Sequence, residues 1–154
     1  LAGVGFSAQG QFFGSYYRRT PRSYEDEFSW MFEGIVGELI GDFGFSGHGA
    51  AGFELDRRDE KLDEGQDIIT LAQSYDEGNR FILVPEEMLT HLTNLSGSPE
   101  ADAKRADMVY FKTANGGQVF AVGSITFCGS LPWNNYDNNI STLLRNVVRK
   151  FVES

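Results

Sequence analysis

Residues 106–130 read ADMVYFKTANGGQVFAVGSITFCGS, two β-rich runs around a turn at Ala114 to Gly117. Asn115 and Gly116 tolerate the positive φ that a tight turn needs, so the stretch predicts an antiparallel hairpin. The apolar run stops at Leu131-Pro132 and gives way to WNNYDNN, residues 133–139. Then Ile140, Leu143, Leu144, Val147, Val148 and Phe151 recur at helical spacing, which predicts an amphipathic helix. Asp137 or Asn138 is the expected N-cap. A strand handing over to a helix is a usual place for ligands in α/β sheets. The amides there either orient a neutral polar ligand or cap and brace the turn.

Upstream, residues 67–75 (DIITLAQSY) and 80–87 (RFILVPEE) read as two more strands, joined by turn residues 76–79. Pro85 closes the second run, and residues 86–92 suggest a short helix. Leu1 to Phe6 reads as a strand and residues 7–15 as a loop. Ser23 precedes a segment in which Phe28, Met31, Phe32 and Ile35 fall at helical spacing, and packing into a core explains that stripe. Gly34 to Gly52 is too glycine-dense for a regular element. It is expected to form an ordered loop whose amides point at something, or strands that need bulges. The charge run at residues 56–67 reads as a solvated surface. Together these predict an α/β fold: a mixed sheet with flanking helices, residues 1–154 forming a single domain.

The bulk composition narrows the function classes. With 154 residues, 41% hydrophobic and 13 Phe, the chain can bury a real core. A net charge of −9 repels phosphate, which excludes nucleic acid and anionic membrane as partners. No run is apolar for long enough to span a bilayer and no signal-peptide pattern is present; with the lone Cys128, this suits a cytoplasmic, reducing location. The chain starts at Leu1 on an apolar strand, which predicts a fragment of a larger subunit whose upstream part lies alongside.

Few residues offer chemistry. His48 and His91 sit in unrelated contexts without ligand spacing, so no metal motif is present; His91 reads as a helix-surface residue. Cys128 is flanked by Thr126 and Ser130 rather than by glycines, so it fails the nucleophile-elbow pattern and reads as a small buried thiol. Glu54 follows GHGAAGF, which holds a carboxylate at the lip of a glycine loop. It could move a proton of a water, or simply pair with Arg57 or Arg58. His48, Asn134, Asn135, Tyr136 and Asp137 are the candidates for shaping a pocket beside it.

The segments VGFSAQG, YYRRTP, WMFEGI, IGDFG, GAAGFELDR, LVPEEMLTHLT, ADMVYFKTANGG and GSITFCGSLPWNNYDNNIS occur in that order over nearly the whole chain. They resemble the C-terminal part of the large (β) subunit of the N,N-dimethylformamidase family and of similar uncharacterised proteins. The resemblance implies an amide hydrolase that splits a small N-substituted formamide into an amine and formate. It implies a core like the class I glutamine-amidotransferase fold without that fold's cysteine chemistry. It also implies a mononuclear iron held by a Tyr, a His and a Glu upstream of this region, so that no cofactor is expected within this chain. Homo-oligomers and a small partner subunit are implied as well. The family glutamate beside the iron falls on Glu54, whereas His48 departs from the family's run of glycines. The rival reading is a non-catalytic binding module on the same α/β fold; a Cys128-based hydrolase ranks below both.

Overall fold

The computed structural model describes residues 2–63, 65–75, 80–92 and 103–153, without the side chains of Leu62 and of residues 89–92. Among the described residues eight strands form two sheets: β1 (Gly5–Ser15), β2 (Tyr17–Arg19), β3 (Leu39–Ile40), β4 (Ala51–Arg57), β5 (Ile69–Ser74), β6 (Ile82–Leu83), β7 (Asp107–Lys112) and β8 (Gln118–Ala121). The α-helices among the described residues are α1 (Pro85–Leu92), α2 (Thr126–Ser130) and α3 (Asn139–Glu153). One sheet has the order β4-β1-β6 and the other β3-β2-β5-β7-β8. Every pairing is antiparallel, so the expected mixed sheet is replaced by two antiparallel ones. A parallel pair needs a crossover of a dozen or more residues, usually a helix. Among the described residues the one long helix, α3, follows the last strand and can serve as no crossover. No helix among them is long and apolar enough to cross a membrane.

The hairpin forms as the sequence predicts, with Lys112 opposite Gln118 and Gly116 at φ 83°. The two upstream runs do not pair with each other, however: β5 joins β2 and β7, while β6 joins β1. Their expected turn at residues 76–79 lies outside the described residues. The opening strand starts later than expected, at Gly5, and runs through the predicted loop, with β4 on one side and β6 on the other at Ala8 and Gln9. The aromatic stripe reaches the core without forming an α-helix: Phe28, Met31 and Phe32 are buried, on successive 3-10 and turn residues. Glu25 takes extended angles (φ −71°, ψ 147°), and this interrupts any continuous helix.

Both sheets face one core. Ala8, Leu55 and Leu83 enter it from the smaller sheet, Tyr17, Leu71 and Met108 from the larger, and Ile140, Leu143 and Val147 from α3. Burying such side chains contributes about 1.5–3 kcal/mol each. Tyr17 is fully buried, and its hydroxyl donates to the Val122 carbonyl at 2.6 Å, with the Ala50 carbonyl at 3.3 Å. Burial pushes its pKa well above the ordinary tyrosine value.

The glycine stretch presses its backbone against the end of β1. A Cβ on Gly49 would lie 2.2 Å from the Ser15 carbonyl oxygen, and one on Gly52 2.3 Å from that of Phe13. No side chain fits at such distances, so only glycine permits this closure. The amides of Gly41, Phe45, Ala50 and Gly52 are satisfied by Asn139, Gly129, Gly41 and Ser124, so these four serve the fold rather than an outside ligand. Gly49→Ala is therefore expected to cost at least about 2 kcal/mol in urea unfolding. Gly5→Ala, where a Cβ meets nothing within 4 Å, should stay within about 0.5 kcal/mol of the unmutated protein.

Candidate functional site

The register of the smaller sheet places Glu54. Ala8 stands opposite Leu55 on one side and Leu83 on the other, and all three are buried. The next cross-strand row, Ile82, Gln9 and Glu54, must then face outward, since side chains alternate along a strand. Ile82 is 60% exposed and Glu54 is exposed. Asp56, two residues along β4, shares that face with its cross-strand partner Phe6. Asp56 went unnoticed in the sequence, although the E-L-D alternation at residues 54–56 within a strand is its signal.

Neither arginine pairs with Glu54. Arg57 is 4% exposed and donates to Glu87 (2.9 Å) and Asp59 (3.3 Å). Arg58 donates to Asp63 at 2.8 Å through Nε and to the Thr70 hydroxyl. The charge run is thus not wholly solvated, because Arg57 follows Leu55 onto the inward face of β4. Beside Glu54 the strand pairing opens. Gln9 faces Glu54 and Gly14 faces Gly52, so Gly10 to Phe13 stand against Phe53 alone. Phe12 (φ 47°) and Phe53 (φ 58°) take left-handed angles, each costing roughly 1–2 kcal/mol. Their rings meet edge to face at 5.4 Å, an apolar pair at the pairing break that adjoins Glu54 in the strand.

The remaining candidates lie elsewhere. His48 is exposed, at φ 63°, in the turn between Gly47 and Gly49. The expected strand-to-helix handover is a helix-to-helix one: residues 126–130 form α2, a short apolar run being ambiguous between strand and helix. Cys128 is exposed rather than buried, since Thr126, Phe127 and Ser130 take the inward side of that helix. Next come Asn134, Asn135 and Tyr136, three left-handed residues in succession at φ 50°, 53° and 67°.

The amides there mostly brace the turn. The Asn138 side chain accepts from Ser141 N (2.9 Å) as the N-cap of α3 and donates to the carbonyls of Trp133 (2.7 Å) and Leu131 (3.0 Å). Asn139 accepts from Gly41 N and donates to the Leu39 carbonyl, both at 3.0 Å, which ties α3 to β3. Asn134 donates to the Asp137 carbonyl at 3.0 Å. Phe43, Phe45, Trp133, Asn134, Asp137 and Asn138 border an open groove, in which Trp133 stacks on Phe43 at 6.0 Å. Glu54 and His48 do not border it, so the structure does not gather the predicted residues into one pocket. Among the described residues no three His, Cys, Asp or Glu side chains group as a metal site. The side chain of His91, on α1, lies outside the described residues.

Two predictions separate brace from site. Asn138→Ala should cost about 1–2 kcal/mol in urea unfolding, whereas Asn135→Gly, which relieves a left-handed residue, should be neutral or slightly stabilising. The pKa of Asp56 is raised above its ordinary 3.8, first by burial and then by the charge of Glu54. The folded chain therefore binds that proton more tightly than the unfolded one, and this group's contribution falls as pH rises from 3.8 through the raised value. Asp56→Asn should be more stable than the unmutated protein in urea unfolding at about pH 7, with the advantage gone at about pH 3.

The profile of a family described as "N,N-dimethylformamidase beta subunit-like, C-terminal" matches residues 1–138. The N,N-dimethylformamidase beta subunits of Alcaligenes sp and Paracoccus aminophilus are each 39% identical to the chain over 152 residues. The match covers 98% of this chain and 20% of each relative, so the chain spans about a fifth of the length of the curated relatives it matches. The chain belongs to the N,N-dimethylformamidase beta subunit-like family, matching its C-terminal region.

Proposed function

We propose that the chain is the C-terminal portion of a dimethylformamidase-like hydrolase, in which Glu54 manages the protons of water attacking a small N-substituted formamide. In that reaction water adds to the formyl carbon and loses a proton to the carboxylate. The C–N bond then breaks as the proton passes to the departing nitrogen, giving formate and an amine. The observation that carries this reading is Glu54 itself: it lies in the family-matched region, outward-facing, with both neighbouring arginines engaged elsewhere. In this reading the iron and the remaining catalytic groups belong to other parts of the protein. These include a glutamine-amidotransferase-like core and, since the relatives are named as beta subunits, partner chains. The rival, a non-catalytic binding module, draws on the aromatic groove at Trp133.

Glu54→Gln in the complete protein should lower the rate of formate release from N,N-dimethylformamide at least about 100-fold, with the far-ultraviolet circular dichroism unchanged. Turnover within threefold of the unmutated enzyme (about 0.7 kcal/mol) would remove Glu54 from the reaction. An unmutated protein that turns over no formamide would favour the binding module.

A further inference from the structure

Four large apolar side chains are exposed on the small sheet that carries Glu54. Phe12 is 80% exposed, Ile82 60%, Phe6 45% and Phe13 44%. Strand register puts Phe6 and Ile82 on the outer face that carries Glu54 and Asp56, and Phe12 and Phe13 belong to the Gly10 to Phe13 bulge that follows the Gln9–Glu54 pair. Contiguous apolar surface of this kind marks an interface rather than a finished exterior. The bulge also holds Phe12 outward at left-handed angles, an arrangement that a merely solvated loop would not need.

We propose that this outer face docks the remainder of the β subunit. The matching surface is apolar against Phe6, Phe12, Phe13 and Ile82, and it presents a cation or N–H donors to Glu54 and Asp56. The inference rests on the functional reading above, in which Glu54 works with groups that this chain does not hold. Length supports the choice of occupant, since the chain matches only 20% of each relative. Charge is consistent with it. Two carboxylates share the face while Arg57 and Arg58 are engaged elsewhere and Arg80 lies over the Phe13 ring at 5.4 Å, so a cation or N–H donors on the docked body would complement them.

The test uses the complete subunit, freed of any partner chain, carrying Phe12→Cys or Ile82→Cys. Alkylation at that peptide is followed by mass spectrometry in the native protein and in urea. Labelling at least tenfold slower in the native protein, and unchanged on dilution, is the expected result. A native rate within threefold of the unfolded one overturns the proposal. So does protection that fades on dilution, which would identify a second copy, or protection that needs a separate subunit added back. Because labelling does not depend on turnover, open cysteines with an inactive Glu54→Gln would sink the interface alone. Protected cysteines with a fully active Glu54→Gln would sink the catalytic reading alone.

Discussion

The arrangement depends on one contact without side chains: the backbone of the glycine stretch lying on the backbone at the end of β1. Gly14, Gly49 and Gly52 meet Gly47, Ser15 and Phe13 at distances that leave no room for a Cβ. This contact fixes where β4 begins and thus which way Glu54 points. It also brings Gly52 to the Ser124 hydroxyl, which bonds both its amide (2.7 Å) and its carbonyl (2.8 Å) and anchors the segment leading into α2. Through Phe45, whose amide reaches the Gly129 carbonyl and whose ring lies 5.0 Å from Trp133, the same stretch supports the asparagine turn.

The parts of the fold readable from the sequence were those set by short-range rules. The hairpin of β7 and β8 needs only its turn residues, and α3 needs only its periodicity and cap. The stripe of Phe28, Met31 and Phe32 correctly named core residues but misnamed the backbone, because spacing of three and four residues is also met by successive tight turns. Which sheet a strand enters could not be read at all. Runs such as β5 and β6 look alike in sequence, and their partners are chosen by packing.

The site divides in the same way. Glu54 was legible through its motif, but its setting was not, since the pairing break opposite Phe53 arises between distant segments. Composition alone marked residues 56–67 as surface. Strand alternation carries Arg57 inward with Leu55, and Glu87 and Asp59 compensate its charge. The question raised by the asparagines is answered by separate residues: Asn138 and Asn139 brace the turn, while Asn134 and Asn135 occupy the strained tip.

The central position of β1 has a consequence for the order of assembly. Its partners are Arg57 for Gly5 and Leu83 for Ala8, so neither edge can be satisfied by neighbours in the chain. Closing such loops costs entropy before any contact rewards it, and folds dominated by distant pairings form slowly. On a ribosome the segment from Gly5 to Ser15 must wait for residues 51–57 to pair one edge, and at Ala8 and Gln9 the other edge stays open until residues 82 and 83 have emerged. The neighbourhood of Glu54 is thus among the last parts of the small sheet to take shape.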